Sequence, residues 1–419
     1  MTDAARVVQR TYLLLTLLTT LAASFIWGIN TLFLLDAGLS NTEAFAANAF
    51  FAVGQVIFEI PTGVVADTRG RRLSFMLGAG TLLLSTLLYL VMWNMQAPFW
   101  GWAIASALLG LGFTFFSGAT EAWLVDALGA TGFKGDLESV FGRAQVIGGG
   151  AMLVGSIAGG FVAQATDLGV PYIVRAALLG VTLVVAWWFM HDLGFTPERG
   201  VTPVTAVRTV ISGAVDGGLR NRPVRWLMLA APFSVGVGFY AFYALQPYLL
   251  ELYGDPNAYG IAGLAAAVVA GSQMVGGLTV PLVRRFFRRR TDALILAGVL
   301  TVIFLVLIGL TDSFWVAVML MTAWGIIGAI EEPFRRAFIN GLIPSQQRAT
   351  VLSFDSLIGS AGGVVAQPAL GRTADVFGYP ASYVVSAAIQ ALAVPFAFLA
   401  RRENAVSDPI GGNGAPADA

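Results

Sequence analysis

The chain has 419 residues, with 24 basic and 24 acidic side chains and a formal net charge of zero. Hydrophobic residues make up 57% of it and charged residues 11%, against roughly 45–50% and about 25% in soluble domains. This excludes a soluble fold and points to an integral membrane protein, and the zero net charge implies no nucleic-acid partner. The lack of Cys and the single His, His191, exclude disulfides, thiolate metal sites, Cys nucleophiles and His-built metal clusters or triads. No metal or cofactor is therefore expected, and no enzyme.

A bilayer core of roughly 30 Å takes about 20 apolar residues per helix. Twelve such spans occur in chain order: 11–35, 44–66, 73–93, 98–126, 142–165, 170–191, 224–250, 258–283, 292–311, 314–334, 350–371 and 379–400. They are apolar nearly all round and do not alternate, so they read as helices rather than barrel strands. The first span is too long for a signal-peptide core and lacks a small-residue cleavage pattern, so it is expected to be retained. Twelve spans put both termini on one side. If that side is the cytoplasm, every basic residue except Arg175 and Arg372 falls in an inner segment. This positive-inside bias predicts a plasma (inner) membrane protein with both termini cytoplasmic.

The organisation expected is an N-terminal six-helix half (1–191), a cytoplasmic linker (192–223), a C-terminal six-helix half (224–400) and a disordered tail (401–419), Gly-, Pro-, Ala- and Asp-rich from Glu403. In the linker, Val204, Val207, Ile211, Val215 and Leu219 recur at helical spacing with Arg208 and Arg220 interleaved. That pattern fits a short amphipathic helix on the membrane surface, or a loose linker. The halves repeat weakly. Gly118-Ala119-Thr120-Glu121 in span 4 has a counterpart 210 residues on, Gly328-Ala329-Ile330-Glu331 in span 10. Spans 5–6 match spans 11–12 at an offset of 211: Ile147-Gly148 on Ile358-Gly359, Tyr172 on Tyr383, Ala176-Ala177 on Ala387-Ala388. A parallel six-helix repeat is a known transporter architecture.

Between spans 2 and 3 stands Gly63-Val-Val-Ala-Asp67-Thr-Arg-Gly70-Arg71-Arg72. Its glycines permit a tight interhelical turn, Asp67 at a helix end suits a neighbouring N-terminus or an Arg, and the arginines mark the inner face. In pattern and place this segment resembles the loop 2–3 signature of the major facilitator superfamily. Span 5 carries Gly142, Ala151 and Gly155-Ser156-Ile-Ala-Gly159-Gly160, which looks like the antiporter signature of the same superfamily, with Ala151 where the family usually has Gly and Ser156 where it usually has Pro. A third pattern fails: the Arg that proton-coupled members carry in span 4 falls on Ser106, and no basic residue lies in 98–126.

The resemblance implies an all-α integral membrane fold of twelve helices in two pseudo-symmetric halves, and alternating access around a midplane site. It further implies export like that of the drug:proton antiporters, from a monomer whose partners are a small-molecule substrate, protons and the lipid bilayer. Ionisable groups inside spans default to functional roles. Glu59, in Phe58-Glu59-Ile60-Pro61, lies about 12 Å deeper than Asp67 and ranks first as the proton-coupling carboxylate, with Glu121 second. A structural hydrogen bond is the alternative for Glu59. Asp67, Arg71 and Asp126 look like the cluster that latches the family's inner gate, with Arg143 and Asp355 as further members; surface ion pairs are the alternative. Glu331 and Glu332 stand four residues before Arg335 and Arg336 and read as i,i+4 pairs. The resemblance places spans 1 and 7 along the cavity, offering Trp27, Asn30, Phe239, Tyr240, Tyr243 and Gln246 as substrate contacts. An aromatic site with few polar groups suits a small hydrophobic or amphipathic compound, including a cation held through cation–π contact. An importer or facilitator of a sugar, amino acid or other metabolite is the alternative function. No ATP-binding loop is present.

Overall fold

The computed structural model describes residues 3–197, 203–343 and 345–410, and the described residues are almost entirely helical. In chain order the helices are α1 (Asp3–Trp27), α2 (Asn30–Asp36), α3 (Asn41–Arg69), α4 (Arg71–Asn94), α5 (Phe99–Thr114), α6 (Ala119–Ala130), α7 (Leu137–Ala165), α8 (Val170–Phe189), α9 (Pro203–Ala214), α10 (Arg222–Tyr253), α11 (Tyr259–Val283), α12 (Arg290–Leu310), α13 (Phe314–Asn340), α14 (Ser345–Ala391) and α15 (Val394–Arg402). Among the described residues, eleven helical segments are long and apolar enough to cross a membrane. The last, Val351–Arg402, is 52 residues long and bends at Gly378 (φ 81°, ψ 168°). It therefore carries spans 11 and 12, and twelve spans result.

Three spans expected as single helices are interrupted, the last of them, span 12, at Leu392 and Ala393. Span 1 breaks after Trp27 and resumes as α2. Span 4 breaks at residues 115–118, where Gly118 adopts a left-handed backbone (φ 66°), a conformation that glycine enters without a Cβ penalty.

The chain forms two compact units, and their division cuts three helices, α3, α9 and α11. One unit holds most of the chain up to Val207 together with Pro256–Ala267; the other holds the rest together with Ser40–Ala49.

In the first unit, small residues set the helix spacing. A Cβ on Gly155 would lie 1.8 Å from Ser24 Oγ, and one on Gly159 1.9 Å from the Phe25 carbonyl. The span 5 glycines therefore let α7 and α1 touch backbone to backbone, and Ser24 Oγ donates to the Ala151 carbonyl (3.1 Å). Gly160 faces the α11 backbone at Gly263, and Gln164 Oε1 accepts from the Gly260 N–H (2.9 Å). Gly54 and Gly110 bring α3 and α5 into similar contact. The aromatic rings of Phe33, Tyr89, Trp93, Trp102 and Tyr172 fill the end of the unit away from the loop 2–3 arginines, with Phe33 stacked on Tyr172 at 4.0 Å.

In the second unit the same device recurs at the repeat-related place: a Cβ on Gly362 of α14 would lie 2.1 Å from the Pro232 carbonyl of α10. Tyr240, Tyr248 and Tyr383 are buried and tie α10 to its neighbours through Ser382 Oγ (2.6 Å), the Ile308 carbonyl (2.9 Å) and the Ala241 carbonyl (2.7 Å). Asp375 caps the start of α3, accepting from the Asn41 and Thr42 N–H groups at 2.9 Å each.

One expectation resolves towards its helical alternative and one changes. Within the linker, the amphipathic pattern forms α9, followed by a π-helical turn at Val215–Leu219. The tail expected to be disordered is ordered as far as residue 410. Arg401 and Arg402 complete α15. Asp408, 2% exposed, then accepts from the Thr291 N–H and hydroxyl at 2.9 Å, capping α12. The Trp226 indole donates to Glu403 (3.0 Å), Ser407 to the Phe338 carbonyl (2.7 Å), and the Ile410 N–H to the Arg288 carbonyl (2.9 Å). Low-complexity composition misled here because a few well-placed acceptors are enough to order a short segment. Residues 411–419 lie outside the described residues.

Candidate functional site

The interruption of span 4 lies beside the Glu59 side chain. Ser117, in the turn just before Gly118, donates its hydroxyl to Glu59 Oε1 at 2.6 Å. Glu59 is half-buried two residues before a mid-helix Pro-Thr pair, where Pro61 removes an α3 backbone donor and Thr62 donates its hydroxyl to the Phe58 carbonyl (2.8 Å). Glu121 sits exposed in the first turn of α6, where the helix dipole favours a carboxylate. No basic side chain forms an ion pair with Glu59 or Glu121 among the described residues. Ser117 gave no signal in the sequence beyond its Gly neighbour.

Ser106, the position where proton-coupled relatives carry Arg, is buried and hydrogen-bonded to the Tyr89 hydroxyl (2.5 Å). Among the described residues, the buried arginine of this unit's interior is Arg175. It donates to Thr86 Oγ1 (3.0 Å) and to the Ala22 carbonyl (3.3 Å).

At the α3–α4 turn, Arg71 hydrogen-bonds Asp67 one turn back, and its Nε lies 3.9 Å from Asp126 Oδ2 at the end of α6. Arg143 is exposed and makes no ion pair with this group among the described residues. Gly70 holds φ 114°, with the Asp192 carboxylate in the space a Cβ would fill. Asp192 in turn accepts from the Arg72 N–H (2.8 Å) and caps α4. Arg72 also donates to the Trp187 carbonyl (2.5 Å), and its guanidinium lies 5.1 Å from the Trp187 ring centre. A Cβ on Gly63 or Gly142 would meet nothing within 4 Å. Sequence reasoning missed Asp192, whose partner lies 120 residues away.

Asp355 is engaged separately, in the second unit. Arg335 grips both of its oxygens at 2.6 Å and also donates to the Leu227 carbonyl (3.3 Å). The expected i,i+4 pair exists for Glu332 and Arg336 (2.5 Å) but not for Glu331 and Arg335. The bidentate geometry offered across the helix–helix interface wins over a same-helix partner. Glu331 instead lines a cavity of about 180 Å³ with Ser234, Arg335 and Gln390.

Of the aromatic and amide candidates, Trp27, Phe239 and Tyr243 are half-buried. Tyr240 and Gln246 are buried, and Asn30 is buried with its Oδ1 accepting from the Tyr172 hydroxyl (3.0 Å). The structure thus places three of the six in packing positions. No group of three or more His, Cys, Asp or Glu able to hold a metal occurs among the described residues.

Comparison with known proteins agrees with this architecture. The family model described as Major Facilitator Superfamily matches residues 12–330 and 278–418. An uncharacterized MFS-type transporter of Methanocaldococcus jannaschii is 23% identical over 230 residues, 55% of this chain and 57% of that protein, so the match spans little over half of the relative's length. Among solved structures, a mutant of the nucleoside transporter NupG superposes with a TM-score of 0.78 at 12% identity, covering 94% of this chain and 99% of that one. A bacterial homolog of the human lysosomal transporter Spinster gives 0.70 at 16% identity, covering 96% and 98%. A D-xylose-proton symporter gives 0.65 at 15% identity, covering 94% and 96%. At these identities the likeness is one of fold.

Proposed function

Because this chain belongs to the Major Facilitator Superfamily, we propose that it is a transporter that exports small hydrophobic or amphipathic compounds in exchange for protons. The observation that carries the proposal is the hydrogen bond from Ser117 to Glu59 at the break in span 4. Discontinuous helices with polar groups at the break are how membrane transporters build ion and substrate sites. A carboxylate with no cationic partner inside a span is costly unless it has work to do. Glu59 loads a proton on one side of the membrane and releases it on the other. Ser117 orients the carboxyl, and Glu121, on the next helical segment, is the second proton site.

The hydrophobic character of the substrate rests on which side chains remain accessible. Trp27, Phe239 and Tyr243 retain exposed ring surface, while the amides Asn30 and Gln246 are buried. Aromatic faces with few free polar groups favour apolar and cationic ligands. Asp67, Arg71 and Asp126 form the latch that stabilises one access state. The arginine-rich ends face the cytoplasm, as the positive-inside distribution supports. The driving force is sufficient: one charge crossing 100 mV is worth about 2.3 kcal/mol.

The test is extrusion of a fluorescent lipophilic cation from energised vesicles by the intact chain and by Glu59→Gln, with and without a protonophore. Pumping that collapses in both arms is the expected result. Pumping that survives Glu59→Gln moves coupling to Glu121. No pumping by folded, inserted protein overturns broad export and redirects the search to metabolite uptake.

A further inference from the structure

A groove of about 580 Å³ runs along the outside of the second unit between α12 and the final span, and its wall is apolar except at one end. Val299, Val302 and Ile303 line the α12 side; Val394, Phe398 and Leu399 line the other. Arg402 closes the end. The groove has a local cause. Span 12 is interrupted at Leu392 and Ala393, and Pro395 enters the first turn of α15 without an N–H to give.

We infer that this groove holds one acyl chain of an anionic phospholipid, with the headgroup on Arg402. Three observations converge. The first is length: from Ala391 to Arg402, at 1.5 Å per residue, the groove runs about 16 Å, close to half of the roughly 30 Å hydrocarbon core. It matches a single leaflet.

The second is charge. The neighbouring acids are already engaged, Asp292 by Arg401 (3.1 Å) and Glu403 by the Trp226 indole (3.0 Å). No carboxylate pairs with the exposed Arg402 among the described residues. Arg289 adds a second cation at this end, hydrogen-bonded to Asn404 (3.1 Å). A cationic mouth selects a negative headgroup and opposes a cationic drug.

The third is exposure. Val299, Ile303 and Phe398 are open to the surroundings, and in a membrane-spanning unit those surroundings are lipid. The inference rests on the membrane fold alone and stands whatever the transported solute is.

The full chain, purified and delipidated in a neutral detergent, is titrated with phosphatidylglycerol or with phosphatidylcholine of the same acyl chains, and its thermal midpoint is followed. Phosphatidylglycerol is expected to stabilise at about fivefold lower concentration, the ratio that ~1 kcal/mol per surface arginine gives. Arg402→Gln, at an exposed side chain that leaves the fold intact, is expected to equalise the two lipids. Val302→Trp, which fills the groove, is expected to abolish the response to both. A phosphatidylglycerol preference that survives Arg402→Gln overturns the assignment. So does equal stabilisation by inorganic phosphate, which would mean a headgroup site without a chain. Protection by tetraphenylphosphonium that Val302→Trp removes, with none by lipid, would make the groove a substrate site and overturn it as well.

Discussion

Spans 4 and 10 carry the same Gly-Ala-X-Glu tetrapeptide 210 residues apart, yet their backbones differ. At Gly118 the helix stops, turns through a left-handed residue and restarts; at Gly328 it continues through α13 without interruption. A Cβ at either glycine would meet nothing within 4 Å, so steric crowding does not decide the matter. What differs is the partners. In span 4 the turn presents Ser117 to Glu59. In span 10 the next turn is anchored by Arg335 on Asp355, and Glu331 lines its own small cavity. A repeated sequence thus keeps its carboxylate while the two halves use it in different settings. The lesson is that the interhelical partner, not the local motif, selects the backbone.

The largest test of that contrast removes its anchors. Arg335→Ala leaves Asp355, 6% exposed, without its counter-charge, and is expected to cost ~3 kcal/mol in detergent unfolding. Arg71→Ala is expected to cost under about 1 kcal/mol, because Asp67 and Asp126 stay solvated. Equal losses would break the comparison. The two caps come next. Asp408→Ala removes a buried acceptor from the start of α12 and is expected to cost ~2 kcal/mol, against ~1 kcal/mol for the exposed cap Asp192→Ala. Urea or thermal melts of the two variants measure the difference.

The glycines give smaller, opposite effects. Gly118→Ala forces a left-handed alanine and is expected to cost ~1 kcal/mol, with slowed vesicle transport. Gly328→Ala is expected to gain ~0.5 kcal/mol from helix propensity. The same sign for both would show that the two backbones are alike. Smallest in stability is Ser117→Ala, because the hydrogen bond it removes is solvent-exposed and water can take its place. It is expected to lower transport severalfold while leaving the melting midpoint nearly unchanged.

The twelve spans were legible because a run of some 20 apolar residues has few other uses. The Asp67–Arg71 pair was legible because its partners are four residues apart. What stayed hidden depends on residues distant in sequence. The partner of Arg335 is 20 positions on, not four positions back; Asp192 and Asp408 cap helices more than a hundred residues upstream. The break in span 4 was hidden because glycines are common in membrane helices and nothing in Phe-Ser-Gly-Ala announces a left-handed turn. Asn30, Tyr240 and Gln246 were offered as ligand contacts because the resemblance places spans 1 and 7 along the cavity, and a span's place does not tell a cavity-facing polar group from one engaged by a neighbouring helix.

The cap on α12 has a consequence for biosynthesis. Thr291 waits for Asp408, made 117 residues later, and a chain emerges from the ribosome at about 5–20 residues per second. The second unit therefore spends several seconds of synthesis with the start of α12 unsatisfied, until the segment that carries Asp408 emerges to close it. A nonsense codon after Arg402 would leave every span in place and still deliver a second unit in which the start of α12 lacks its cap.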